Sequence, residues 1–141
     1  DEFIECLDTG FCEISRGDRV VIVSYGALLH KVIAARHKLK KEGLEVGIID
    51  LYRVKKINTH KISEYLSRYK SLLTVEEQIL DGGFGGAVLE ALADSGLQMK
   101  VKRLGLSDGF VVVNGDRDHL HKLYGLDTGD IVSAVMELEN N

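Results

Sequence analysis

The sequence predicts an α/β fold: a three-layer α/β/α sandwich with a mostly parallel sheet of about five strands, one of them an antiparallel edge strand. Three observations carry this. Short apolar, largely β-branched runs alternate with amphipathic stretches of helical length, the pattern of βαβ units. Runs such as Val20-Val21-Ile22-Val23 are apolar without a break, as strands covered on both faces are. Fifteen glycines and no proline punctuate the chain, where about seven prolines would be average.

The elements follow in order. Gly10–Ile14 reads as a short strand, ended by Ser15-Arg16-Gly17-Asp18. Arg19–Ser24 carries an unbroken β-branched run and reads as a strand buried on both faces. Gly26 opens a helix whose Leu28, Val32, Ala35 and Leu39 recur at helical spacing, with lysines and Arg36 on the other faces. Gly43 stops it. Leu44–Asp50 is the next strand. Asn58 or Thr59 caps a helix carrying Ile62, Tyr65, Leu66 and Tyr69. Leu72–Val75 is a strand, and the run from Gly82 to Gly86 leads into a helix with Val88, Leu89, Ala91 and Leu92, closed by Gly96. Met99–Leu104 is the last strand. Two helical stretches follow, near Asp118–Tyr124 and Thr128–Glu139.

At 141 residues the chain fits one domain spanning 1–141, large enough to bury roughly two-thirds of its surface without staples. Hydrophobic residues are 45% and charged residues 28%, so disorder is not expected. A net charge of −4 offers no electrostatic grip on nucleic acid or an acidic membrane surface. No apolar run approaches the roughly 18 residues of a membrane span, and the acidic start does not read as a secretory signal. Cys6 and Cys12 could pair, but two reduced thiols fit a cytoplasmic domain better. A first residue of Asp rather than Met suggests a piece excised from a longer chain.

Candidate chemistry is sparse. The turn Gly82-Gly83-Phe84-Gly85-Gly86 could cradle phosphate on backbone N–H groups. It fails the dinucleotide fingerprint, because the third glycine position is Val88, and it lacks the Lys-Ser/Thr pair of a P-loop. Close packing of backbone against another surface is the simpler expectation. Glu76-Glu77 ends a strand at the edge where α/β sheets bind ligands. The pair could be a general base or a metal site, or else an exposed loop acid or an acid reaching a partner subunit. The five histidines, at 30, 37, 60, 119 and 121, show no zinc-ligand spacing. Gly115-Asp116-Arg117 and the terminal Asn140-Asn141 mimic a Gly-Asp-Gly…Asn-Asn motif by coincidence: the third glycine is missing.

The segment Leu72–Ala93 nevertheless resembles a known family. Val75-Glu76-Glu77, Gly82-Gly83-Phe84-Gly85 and Val88-Leu89-Glu90 look like the V-E-E, G-G-F/A-G and V-x-E pattern of transketolase-type C-terminal domains. These belong to thiamine-diphosphate-dependent enzymes such as transketolase, 1-deoxy-D-xylulose-5-phosphate synthase and the beta subunits of 2-oxoacid dehydrogenases. Val21–Gly26, Asp50-Leu51, Leu104–Phe110 and Tyr124-Gly125-Leu126-Asp127 with Gly129 and Ile131 agree with the same family in order. The resemblance covers about 120 residues. Lys55-Lys56 and Ser107 stand where the family usually has K-P and the proline of G-L-P-D, which marks a divergent member.

The resemblance implies a non-catalytic domain of an enzyme that transfers two-carbon ketol units between sugar phosphates. Thiamine diphosphate and Mg²⁺ would sit in the preceding domains of that parent enzyme, with no cofactor, metal or catalytic residue in this chain. Its partners would be other domains or subunits of the same enzyme, in a homodimer. Glu76, Glu77, Gly82, Gly83, Phe84 and Gly85 would then form a close-packed interface edge. The alternatives are a regulatory module for a small anion or nucleotide, or a partner-docking domain as in the dehydrogenase beta subunits.

Overall fold

A computed structural model describes residues 7–109 and 113–140. Five strands form one sheet in the order β1-β3-β2-β4-β5. They are β1 (Cys12–Ser15), β2 (Val20–Ser24), β3 (Gly47–Asp50), β4 (Ser71–Ile79) and β5 (Lys100–Leu106). β1 pairs antiparallel with β3 at one edge, and the other three pairings are parallel. A 3₁₀ turn (Gly26–Leu28) leads into α1 (Leu29–Lys41). The other helices are α2 (Thr59–Leu66), α3 (Phe84–Ser95), α4 (Arg117–Leu123) and α5 (Thr128–Asn140).

Strand alternation divides the core in two. Val20, Ile22, Ile48, Leu73 and Val75 point to one face, where Val32, Ala35 and Leu39 of α1 and Ile131, Val135 and Leu138 of α5 cover them. Val21, Val23, Ile49 and Leu72 point to the other, under Ile62 and Leu66 of α2 and Phe84, Val88 and Leu92 of α3. The sheet is therefore buried on both faces, and the three-layer sandwich with one antiparallel edge strand is the observed architecture.

Local signals act where the sequence places them. Asn58 Oδ1 accepts the Lys61 N–H at 3.1 Å and starts α2. Gly43 and Gly96 end α1 and α3 with φ of 82° and 72°, a conformation that costs an L-residue with a Cβ. Several boundaries move: β1 starts at Cys12 and takes in Ser15, β3 starts only at Gly47, and β5 runs on to Leu106. The helix expected from Gly26 begins as a 3₁₀ turn. α2 ends at Leu66, and Tyr69 packs beyond it in the same core. β4 runs past Val75 to Ile79.

Cys12 is disulfide-bonded, which corrects the expectation of two reduced thiols. Sequence spacing permits either state, and geometry decides between them. Cysteine usage therefore no longer argues for a reducing compartment. Among the described residues no helix is long and apolar enough to cross a membrane. Phe110, the last residue of the Leu104–Phe110 stretch, lies outside the described residues.

Candidate functional site

β2 leads to β3 on one side and lies beside β4 on the other, so the sheet changes direction at β2. The carboxyl ends of the strands there are the usual ligand edge of an open α/β sheet. Ser24, Tyr25, Asp50, Glu76 and Glu77 gather at that edge. Ser24 Oγ donates to Val75 O at 2.8 Å and ties β2 to β4. The Tyr25 ring lies 4.7 Å from that of Phe84, centroid to centroid. Its phenol is pushed up by burial, then by the charges of Glu76 and Glu77.

Glu76 and Glu77 do not form a pair. Between Val75 and Ile79, β4 advances four residues while its partner β5 advances two, from Leu104 to Leu106. The irregularity bends the strand end, as bulges near functional edges do. The two carboxylates leave on opposite sides. Glu76 turns under the start of α3, and Glu77 turns toward α4.

Glu76 is fully buried. Its Oε1 accepts the Gly85 N–H at 2.9 Å, and Gln78 Oε1 accepts the Phe84 N–H at 3.0 Å. Two backbone donors at the start of α3, those of Phe84 and Gly85, thus already hold acceptors from the chain itself. Burial pushes the Glu76 carboxyl up. The N–H groups of Gly85 and Phe84 and the nearby Arg103 pull the other way without prevailing. Its Oε2 is buried without a partner among the described residues.

The glycines make this arrangement possible. A Cβ on Gly83 would strike Glu76 Oε2 and Ile79 O. One on Gly85 would come within 2.7 Å of both Glu76 Oε1 and Thr74 Oγ1. One on Gly105, in β5, would lie 2.8 Å from Glu76 Cγ. Three missing side chains thus leave the space that the Glu76 carboxylate occupies. Gly82 and Gly86 differ: a Cβ on either meets nothing within 4 Å. They contribute open surface rather than packing, although Gly82 adopts φ of 72°.

Glu77 is half-buried. His121 Nε2 lies 2.5 Å from its Oε1, and Arg117 Nε lies 3.1 Å from the same oxygen. With the carboxylate ionised, His121 must be the donor of that bond. His121 is only 5% exposed, and its Nδ1 has no partner among the described residues. Glu77, Arg117, His121, Leu106, Leu120, Tyr124 and Leu126 line a cleft of about 260 Å³.

Of the six expected edge residues, Gly82 faces solvent and Glu77 and Gly83 are partly exposed, while Glu76, Phe84 and Gly85 are buried beneath them. Arg103, Gly105, Arg117 and His121 complete the site and were not among the expected residues. Gly105 carried a usable signal, since glycine inside a strand marks a bulge or a close approach. His121 carried none, because its burial depends on where α4 docks. Asp116 is the N-cap of α4, its Oδ1 accepting the His119 N–H at 2.8 Å, which accounts for the Asp of Gly115-Asp116-Arg117.

The model of the family described as "Transketolase, C-terminal domain" matches residues 12–131. A 1-deoxy-D-xylulose-5-phosphate synthase of Aquifex aeolicus is 34% identical over 125 residues, covering 89% of this chain and 20% of that protein. One of the subunits of an apulose-4-phosphate transketolase from Actinobacillus succinogenes is 28% identical over 125 residues, covering 89% of this chain and 40% of that protein. Among solved structures, a split-gene transketolase described as an inactive beta4 tetramer superposes with a TM-score of 0.81 at 28% identity, over 91% of this chain and 41% of that one. The chain thus spans about one-fifth to two-fifths of the length of these relatives. By its motifs, its sheet order and these likenesses, the chain belongs to the transketolase C-terminal domain family.

Proposed function

We propose that the chain serves as the non-catalytic C-terminal domain of a thiamine-diphosphate-dependent enzyme that moves two-carbon ketol units between sugar phosphates. Its work there is packing: the face carrying Gly82, Gly83 and Gly86 lies against other domains or subunits of the same enzyme, in a homodimer. The likeness to a 1-deoxy-D-xylulose-5-phosphate synthase and to part of a transketolase supports the reaction class. A cytoplasmic location goes with that reading, because phosphorylated sugars do not cross membranes unaided.

One observation carries the packing role. The helix start that would hold a phosphate is filled by the Glu76 carboxylate, bonded to the Gly85 N–H. A diphosphate arriving there would meet a buried acid, with the Phe84 and Gly85 N–H groups already bonded. These residues do not fit thiamine diphosphate, so the cofactor belongs to the preceding domains. The same glycine run leaves a surface free of side chains at Gly82 and Gly86, which lets a neighbour's backbone approach closely.

Gly86→Leu tests this. Gly86 lies in the first turn of α3, and its Cβ direction is open, so the chain folds with the substitution in place. Sedimentation of the parent enzyme is expected to show a weakened dimer. A dimer unchanged in stability overturns the packing role.

A further inference from the structure

The cleft between β4, β5 and α4 is a second feature, independent of the glycine turn and of the packing role. Its walls are Leu106, Leu120, Tyr124 and Leu126, and its charged groups are Glu77 and Arg117. His121 Nε2 and Arg117 Nε both engage Glu77 Oε1. That leaves Glu77 Oε2 and both Nη groups of Arg117 without a partner among the described residues. The Arg117 side chain is 65% exposed and that of Glu77 32%, so both reach solvent. His121 is buried and fixes the carboxylate in place.

The cleft therefore offers an acceptor oxygen, a planar donor fork and an apolar wall within one small space. A guanidinium fork matches a carboxylate. A free carboxylate oxygen matches an ammonium group. Four apolar side chains match a hydrocarbon body. At about 260 Å³ the space falls just below the roughly 300–1,000 Å³ of ordinary ligand pockets. It suits a small metabolite and is tight for a nucleotide. We propose that this cleft binds an apolar α-amino acid, with its carboxylate on Arg117, its ammonium on Glu77 Oε2 and its side chain against Leu106, Leu120, Tyr124 and Leu126.

Calorimetric or NMR titration of the chain with L-leucine and L-phenylalanine tests this. Isopentylamine and 4-methylpentanoate, which each keep the leucine body and one charge, are the comparison ligands. Saturable binding of an amino acid is expected, at least tenfold weaker for either comparison ligand. Arg117→Gln, at an exposed position, is expected to weaken amino-acid binding at least tenfold with the chain still folded. Glu77→Gln should do the same, with the circular dichroism spectrum checking that α4 stays docked. No saturable binding overturns the proposal, as does equal binding of isopentylamine, or no effect of Arg117→Gln. Binding that disappears in the assembled parent enzyme also overturns it, because the cleft is then a contact for a neighbouring domain. A normal dimer in the Gly86→Leu enzyme would defeat the packing role and leave this proposal standing.

Discussion

Replacing Glu76 by glutamine keeps an acceptor for the Gly85 N–H and removes the ionisable proton. Burial holds this carboxyl above the ordinary glutamate value of 4.5. The folded chain therefore binds the proton more tightly than the unfolded chain does. The contribution to stability is complete below pH 4.5 and is lost as pH rises through the folded-state value. Glu76→Gln does not suffer this loss. Melting temperatures from about pH 4 to about pH 8 should show the variant gaining on the wild type as pH rises. A constant difference across that range would mean that burial does not favour the protonated acid. Gly85→Val is the complementary case. Its side chain would collide with Glu76 Oε1 and Thr74 Oγ1, and overpacking of this kind costs about 1–3 kcal/mol. Denaturant unfolding should show that loss in the chain by itself. Any weakening of the dimer by Gly85→Val is therefore partly a folding effect, and Gly86→Leu is the cleaner probe of contact.

Among the elements, the sequence is most informative where a side chain acts on its own backbone. Asn58 caps α2 as expected, and Asn58→Ala should cost about 1 kcal/mol by urea unfolding. The buried strand β2 is legible from its apolar run, and α1 from the spacing of Val32, Ala35 and Leu39. The end of β4 is not. Alternation alone separates neighbouring side chains, but Glu76-Glu77 as two adjacent letters reads as a pair of acids. Only the register against β5, with its irregularity between Val75 and Ile79, shows where each one goes. The docking of α4 is equally hidden. His121 looks like any polar helix residue until Glu77 is placed beside it.

For the whole molecule, the order of elements and the glycine motifs are enough to reach the family and its sheet. They also point to the edge at the carboxyl ends of β2 and β4. They do not reveal that Glu76 lies inside that edge rather than on it. That fact comes from three glycines, 83, 85 and 105, that sit on different parts of the chain yet surround one carboxylate. With the Phe84 and Gly85 N–H groups at its helix start already bonded, the domain on the proposed reading packs while the cofactor binds elsewhere. Calorimetry of the chain with thiamine diphosphate and Mg²⁺ probes this without an intermediate step. No saturable heat is expected. A one-to-one isotherm, abolished by substitution within the turn from Gly82 to Gly86, would contradict it.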